Sequence, residues 1–323
     1  MLDFKYDFDD IIPLPISSDA EGELCQIMYD DDYKHLMGIA RAMLESKELS
    51  ERALHITNSV VEVVPAFYTI WNYRYNIVRF LYGENAEALD KELDWLDEFT
   101  LNNPKNYQIW SYRQAILQLH PKPSFKRELP ILHSMIDDDT KNYHVWSYRR
   151  WCVLFFKDFT KELAFAGDFI RRDVYNNSAW CHRMFVLKNY HPSAQEIEAE
   201  ITYAKEMIEK APQNISPWNY LRGIHEVFLS GNYSPETVEF ALSFVGDFFE
   251  RKFSINHEGS LCEEAPVVES SFALELLATV YSKRREHLQK AKEAYHGLIA
   301  WYDPIRKNFW EYRLGLLEKD EGK

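Results

Sequence analysis

Glycine and proline are scarce in this 323-residue sequence, which has only 11 and 13 of them. Turn-rich sandwiches and low-complexity chains need more of both, so the composition favours a helical protein. Cysteine is also rare. The four cysteines are far apart and form no CxxC pair: Cys25, Cys152, Cys181 and Cys262. This spacing favours free thiols in a reducing, cytoplasmic compartment over a disulfide framework.

The sequence also has no excess of basic residues and no long apolar run. The sequence has 37 Lys and Arg against 51 Asp and Glu, a formal net charge of −14. An acidic surface repels phosphodiester backbones, which argues against a nucleic-acid-binding protein. No run of 18 apolar residues occurs, so no transmembrane helix is expected. Residues 1–7 lack the basic and apolar regions of a signal peptide, and none is expected.

The sequence does contain a repeated motif, in which an Asn is followed by a Trp four residues later and an Arg three residues after the Trp. The tryptophans of the first five copies are Trp71, Trp110, Trp146, Trp180 and Trp218, with a terminal echo at Trp310. Their spacing of roughly 34 to 39 residues indicates stacked supersecondary units.

Each unit is predicted to be a helical hairpin. The Asn suits the N-cap of the second helix, because its side chain can accept an orphan backbone N–H. The Trp and its predecessor have apolar partners one heptad later, as a single helical stripe requires. The fifth copy departs from this pattern with Pro217 and His225. Apolar residues at helical spacing, such as Leu89, Leu93 and Leu96, predict the preceding first helix.

These patterns predict an all-α fold, a right-handed α–α superhelix (solenoid) of helical hairpin repeats. Residues 1–30 are predicted to be an extended acidic arm, and residues 31–323 a single superhelical repeat domain. Residues 253–268 are predicted to be a loop before the last helices. The repeated Trp is assigned to the core. The Arg is assigned a structural role, in which it caps neighbouring turns or pairs with acidic residues of an adjacent repeat.

Two copies differ from the others in chemistry, at residues 104–108 and 140–144. Only these copies combine a Lys with a following Tyr and a further polar side chain; the first copy keeps the Tyr but has Ala66 in place of the Lys. Because equivalent turns of stacked repeats lie along one edge, these side chains are expected to cluster. The set consists of Lys105, Tyr107, Gln108, Tyr143 and His144, with Tyr68 beside them.

Each of these residues is predicted at a helix N-terminus, where free N–H groups and the helix dipole favour an anion. The cluster therefore suits a phosphate or carboxylate ligand. Lys and Tyr are equally ordinary in solvated turns, and spacing alone leaves both interpretations open. No HExxH, Cys/His zinc spacing, Gly-rich phosphate loop or GxSxG elbow occurs. The runs Asp30–Asp32 and Asp137–Asp139 are interpreted as solvated helix ends rather than metal sites.

The repeated pattern Pro-x-Asn-Tyr-x-x-Trp-x-x-Arg resembles the α subunit of protein farnesyltransferase and type I geranylgeranyltransferase. Similar strings also stand at residues 26–29, 50–54, 176–178 and 305–310. The resemblance implies a crescent of helical hairpins around a β subunit, and activity only as the heterodimer. It implies that the β subunit binds zinc and most of the isoprenoid, that magnesium assists farnesyl transfer, and that this chain binds no metal.

The implied reaction joins farnesyl or geranylgeranyl, from its diphosphate, to the cysteine thiolate of CaaX proteins such as small GTPases in the cytoplasm. Positioned cations and donors would stabilise the leaving diphosphate. The resemblance implies that Lys105 and Tyr143 are catalytic. It places the diphosphate beside Lys105, Tyr107, Asn142, Tyr143 and His144. It places the CaaX peptide at Gln108 and Tyr68. Two departures are Phe67, where the family commonly has Asn, and Leu221, where Arg is usual.

Two alternatives remain beside this interpretation. The α subunit of Rab geranylgeranyltransferase shares the repeats, but it commonly carries extra domains and typically lacks the Asn-Tyr-Gln string at residues 106–108. A non-enzymatic tetratricopeptide-like scaffold would show 34-residue repeats with a Trp-x-x-Leu-Gly pattern, which these copies do not have. The sequence leaves open which β subunit, and hence which isoprenoid, is used.

Overall fold

The computed structural model describes residues 6–15, 27–251 and 264–321. Every long regular element in these ranges is a helix, which confirms the all-α prediction. The helices are α1 (Asp31–Glu45), α2 (Glu51–Val63), α3 (Tyr68–Tyr82), α4 (Ala86–Asn102), α5 (Tyr107–Leu119), α6 (Phe125–Asp138), α7 (Tyr143–Phe156), α8 (Glu162–Arg172), α9 (Asn177–Tyr190), α10 (Ala194–Lys210), α11 (Ile215–Phe228), α12 (Pro235–Leu242), α13 (Ser271–Tyr281), α14 (Leu288–Gly297) and α15 (Lys307–Glu321).

The chain divides into two compact units, residues 1–157 and residues 158–323. In the first unit, α2 packs on α3, α4 on α5 and α6 on α7, and the second helices α3, α5 and α7 pack in succession. In the second unit, α8 packs on α9 and α10 on α11, while α9 packs on α11. Both units are therefore built from the predicted helical hairpins. The assignment of residues 31–323 to a single domain stays a prediction.

The predicted N-terminal arm is described only in part. The Leu14 amide donates to the Gly38 carbonyl at 3.1 Å, and Asp10 pairs with Arg52 at 2.6 Å, so residues 6–15 lie against α1 and α2. Most of the predicted 253–268 loop lies outside the described residues, and residues 264–270 are non-helical. Of the four cysteines, Cys152 and Cys181 are described, and both are free thiols.

The repeated tryptophans are buried, which confirms their assignment to the core. Four of them also make equivalent hydrogen bonds, in each of which the indole Nε1 donates to the backbone carbonyl six residues earlier. The pairs are Trp71 with Pro65 at 2.9 Å, Trp146 with Thr140 at 2.9 Å, Trp180 with Val174 at 2.8 Å and Trp218 with Pro212 at 2.9 Å. Each Trp thus holds the turn before its helix, which fixes where the helix starts.

The repeated asparagines cap the second helices, as predicted. The side-chain oxygens of Asn106, Asn142, Asn176 and Asn214 each accept a backbone N–H of the helix that follows. The amide of Asn106 also donates to the Pro65 carbonyl at 2.8 Å, so the cap joins adjacent repeats. Phe67, which stands where these copies have Asn, makes no side-chain cap at α3.

Three of the repeated arginines, Arg74, Arg113 and Arg183, pair with glutamates of the next repeat, which confirms their structural assignment. Arg113 Nε lies 2.5 Å from Glu128, and the phenol of Tyr148 donates to the same carboxylate at 2.7 Å. All three side chains are buried. The same arrangement joins Arg74, Glu92 and Tyr112, and Arg183, Glu200 and Tyr220. Buried charges are tolerated here because each guanidinium lies against a carboxylate, which also accepts a hydrogen bond from a tyrosine.

The buried His225 predicts how stability depends on pH. Its Nδ1 lies 2.7 Å from the Asn232 carbonyl, and its Nε2 is buried with no hydrogen-bond partner among the described residues. Burial lowers the pKa of His225 below its ordinary value. The unfolded chain therefore takes up the proton first as the pH falls. The free energy of unfolding should decrease below about pH 6.5, by at most about 1.4 kcal/mol per pH unit for this group.

Urea unfolding between pH 8 and pH 5 measures this dependence. The variant His225→Gln keeps a donor but cannot titrate, so its stability should fall less steeply with pH than that of the unaltered chain. His191 is exposed, and His191→Gln should keep the original slope. Equal slopes for all three proteins would show that His225 does not carry the effect.

Candidate functional site

The candidate site is built on the N-termini of α3, α5 and α7 in the first unit. The first residue of each of these helices is a tyrosine, and the residue before it is the N-cap. The side chains of Tyr68, Tyr107 and Tyr143 remain 73%, 63% and 69% exposed. Three phenols therefore project from helix ends whose free N–H groups favour an anion.

Aromatic contacts join the turns before α5 and α7. The ring of His144 meets the ring of Tyr107 edge-on, with centroids 4.2 Å apart. It also meets the ring of Tyr143 edge-on, at 5.7 Å. The structure thus brings together Tyr107, Tyr143 and His144, three of the side chains that the sequence singled out.

The ammonium group of Lys105 is a positive charge at these turns. Its ammonium is 3.9 Å from the carboxylate of Asp139 in the next repeat, and its side chain is 77% exposed. Burial, and then the Lys105 charge, lower the pKa of His144 below its ordinary value. His144 is accordingly a neutral imidazole at pH 7, able to donate one hydrogen bond. An anion placed beside Lys105 would offset that charge and raise the pKa of His144.

Asn142 is placed differently from the other predicted site residues, because it is only 3% exposed. Its side-chain oxygen accepts the backbone N–H groups of His144 and Val145, at 3.0 and 3.3 Å. Its amide nitrogen donates to the Pro104 carbonyl at 3.4 Å. The side chain of Asn142 therefore ties the two turns together and starts α7, so it sets the positions of Tyr143 and His144.

A cavity of about 370 Å³ lies between α3 and α5. Tyr68 and Gln108, the two residues predicted to share a peptide site, both line it. Its other walls come from Trp71, Asn72, Tyr75, Tyr107, Ser111, Tyr112 and Ala115. Asn72 and Tyr75 were not among the predicted site residues, although they follow Tyr68 at helical spacing of four and seven residues. A second cavity, of about 520 Å³, is lined by Ala66 and residues 103–108.

The acidic run Asp137–Asp139 ends α6 and begins the turn towards α7. Asp137 and Asp138 are exposed, in agreement with a solvated helix end, whereas Asp139 faces Lys105. Across the described residues, no group of three or more His, Cys, Asp or Glu side chains is arranged to hold a metal ion. Within the same ranges, no helix combines the length and the apolar character that crossing a bilayer requires.

Comparison with known proteins places this architecture in a family. A family model described as the protein prenyltransferase alpha subunit repeat matches residues 89–120, 125–156, 159–190 and 197–227. Each match spans one helical hairpin, from α4 and α5 through α10 and α11. The fold therefore defines a helical repeat protein of the prenyltransferase alpha-subunit class.

Relatives of known function narrow the class. The chain is 43% identical to the "Protein farnesyltransferase/geranylgeranyltransferase type-1 subunit alpha" of Candida albicans, across 98% of this chain and 99% of that protein. It is 29% identical to the Dictyostelium discoideum protein of the same description, across 95% and 91%. The chain belongs to the family of farnesyltransferase/geranylgeranyltransferase type-1 alpha subunits.

A solved type-1 structure supports this assignment, and the type-2 relatives are less similar to the chain. The structure described as "Candida albicans protein geranylgeranyltransferase-I complexed with GGPP" is 41% identical, has a TM-score of 0.83, and is covered over 100% of its chain. The "Geranylgeranyl transferase type-2 subunit alpha" of Rattus norvegicus is 27% identical, and only 42% of it is covered. The Rab-enzyme alternative is therefore weaker, and a tetratricopeptide-like scaffold is not supported.

Proposed function

We propose that this chain, paired with a β subunit, transfers a farnesyl or geranylgeranyl group from its diphosphate to the cysteine thiol of a CaaX C-terminus. The observation that carries the proposal is the grouping of Lys105, Tyr107, Tyr143 and His144 at two adjacent helix N-termini. In a chain of net charge −14, this is a local set of donors around an exposed cation. Such a set suits a diphosphate that another polypeptide holds.

Lys105 and Tyr143 are proposed to act on the leaving group. When the thiolate sulfur bonds to C1 of the isoprenoid, the bond between C1 and the diphosphate oxygen breaks, and negative charge grows on the diphosphate. An ammonium and phenol donors aimed at that charge lower the barrier. The exposed ammonium of Lys105, on its flexible stem, can follow the diphosphate as it leaves.

Three further residues complete the proposed diphosphate site. Tyr107 supplies a second phenol, and His144 supplies an imidazole N–H between the two phenols. Asn142 contributes through position, since its buried amide fixes the start of α7. Burial, and then the Lys105 charge, lower the pKa of His144 before the ligand binds, so binding of an anion beside Lys105 would favour uptake of a proton.

The CaaX peptide is proposed to bind beside the diphosphate, at the 370 Å³ cavity. Gln108 lines this cavity and also the 520 Å³ cavity at the turn. Its amide could donate to the C-terminal carboxylate of the peptide. Tyr68 lines the same cavity from α3, with an exposed ring for the peptide to pack against.

The metals and the location are proposed from the family. The described residues of this chain contain no arrangement that fits a zinc site, so zinc and the cysteine thiolate are assigned to the β subunit. Magnesium is assigned to the farnesyltransferase form, again outside this chain. The cytoplasm, which contains the small GTPase substrates, is the proposed location.

Co-expression tests the proposal directly. The chain should be produced alone, with a farnesyltransferase β subunit and with a geranylgeranyltransferase type-1 β subunit, and then given labelled isoprenoid diphosphate and a CaaX peptide. Each heterodimer should transfer its own isoprenoid, and the isolated chain should transfer none. Transfer by the isolated chain, or no activity in either purified heterodimer, would contradict the proposal. A CaaX peptide whose Cys is replaced by Ser is the control for thiol specificity.

A further inference from the structure

Asp139 is an acidic residue beside a site proposed to bind an anion. Because its carboxylate would repel the anion, its presence there calls for another role. Its Oδ2 lies 3.9 Å from the Lys105 ammonium. Its Oδ1 accepts the Lys141 backbone N–H at 3.2 Å, and the residue forms the C-cap of α6. The carboxylate is therefore anchored to a short turn, whereas the ammonium ends a flexible four-carbon stem. Of the two partners, Asp139 is the fixed one.

The surroundings of Lys105 offer its side chain two directions. On one side, the turn of Lys105 lines the 520 Å³ cavity together with Ala66 of the preceding repeat. On the other side stands the turn of the following repeat, which carries Asp139, Tyr143 and His144. The ammonium lies on this second side, because it contacts Asp139 and its charge contributes to the lowered pKa of His144.

We propose that Asp139 is a positioning residue, which holds the Lys105 ammonium towards the N-terminus of α7 so that it meets the leaving diphosphate. The inference rests on the function proposed above and assigns Asp139 no contact with the substrate. Without the carboxylate, the Lys105 side chain adopts several conformations, in which the ammonium lies in solvent or in the cavity beside Ala66. A smaller fraction of complexes then has the cation in place when charge develops on the leaving group.

The expected effect is modest, because the side chains of Lys105 and Asp139 are 77% and 40% exposed. Exposed pairs of this kind change equilibria by factors up to about five. In the heterodimer, Asp139→Asn should lower the single-turnover rate of prenyl transfer about threefold to fivefold. The Kd of the isoprenoid diphosphate should stay the same or fall, since a negative charge is removed. Asp139→Glu keeps the charge and should restore the rate to within about twofold of the original.

A double-mutant cycle shows whether Asp139 acts through Lys105. In a Lys105→Ala background, Asp139→Asn should have no further effect on the transfer rate. Asp138→Asn is the matched control: it removes the same charge one residue earlier, from an exposed side chain, and should leave the rate unchanged. Thermal unfolding of each variant heterodimer confirms that the fold is intact.

Four results would overturn the inference. The Asp139→Asn heterodimer could transfer at or above the original rate, or Asp139→Asn could lower the rate equally in the Lys105→Ala background. Asp138→Asn could lower the rate as much as Asp139→Asn does, or Asp139→Glu could fail to restore it. The failure of the proposed function looks different. If Lys105→Ala alone transfers at the original rate, the role of Lys105 and the role of Asp139 both fail. If Lys105→Ala is slow while Asp139→Asn is not, only the role of Asp139 fails.

Discussion

Replacing Lys105 by alanine should lower the single-turnover rate of prenyl transfer by about 100-fold in the heterodimer, the size of effect seen when one preorganised charge-stabilising group is lost. The Kd of the isoprenoid diphosphate should rise only a few-fold, because the exposed ammonium contributes little to the ground state. Rapid-quench measurement of transfer and fluorescence titration of the diphosphate separate the two quantities. A loss confined to the rate places Lys105 on the developing charge of the leaving group.

Lys141 provides a matched control for this result. It occupies the equivalent position in the next repeat and is exposed, but it is not among the proposed site residues. Lys141→Ala should therefore transfer at close to the original rate. Tyr143→Phe removes only a hydroxyl and should slow transfer less than Lys105→Ala does. Equal losses for Lys105→Ala and Lys141→Ala would indicate a general effect of positive charge rather than a role of Lys105.

Replacing the buried Glu128 should cause the largest loss of stability. Its carboxylate accepts from Arg113 at 2.5 Å and from Tyr148 at 2.7 Å, and all three side chains are buried. Glu128→Gln keeps the shape but leaves Arg113 without this counter-charge. Asp97, at 2.5 Å from Arg113, offsets only part of the loss. The free energy of unfolding should decrease by about 3 kcal/mol, and the Tm by roughly 5 °C.

Thermal and denaturant unfolding of the heterodimer measure this loss. Glu98→Gln makes the same change in an exposed side chain of α4 and should shift the Tm by less than about 2 °C. If Glu128→Gln proves as stable as Glu98→Gln, the buried network does not hold the repeats together as described.

Local and periodic features of the fold could be predicted from the sequence. An Asn precedes α5, α7, α9 and α11 and caps each of them, because its side chain reaches backbone N–H groups two or three residues ahead. The repeated Trp is buried because it recurs at one register on an apolar stripe. Tyr107 and His144 meet because stacked repeats bring equivalent turns together. Each of these inferences needs only a short window of sequence and the period of the repeat.

Contacts between side chains of different helices were harder to predict. The arginines were expected to pair with acids, but the partner of Arg113, the distant Glu128, could not be chosen from the many acidic residues in the sequence. A usable signal was present, because Glu92, Glu128, Glu162 and Glu200 recur at the same spacing as the tryptophans. Asp139 gave no such signal, since its contact with Lys105 depends on how two turns are oriented.

The cavity between α3 and α5 was also beyond sequence reasoning. Tyr68 and Gln108 were among the predicted site residues, but Asn72, Ser111 and Ala115, which also line the walls of the cavity, were not. Small and polar residues on an exposed helix face are common, so their types alone do not indicate a binding site. Only the packing of α3 against α5 reveals the space that they leave.

The structure of the heterodimer with a bound, non-hydrolysable isoprenoid diphosphate analogue shows directly whether Lys105 and Tyr143 face the leaving group. We expect the Nζ of Lys105 and the Oη of Tyr143 to lie about 3 Å from diphosphate oxygens, at the point where the β subunit presents the head of the isoprenoid. A complex in which these two groups face away from the diphosphate, or lie against different surfaces of the β subunit, would rule out their proposed role on the leaving group.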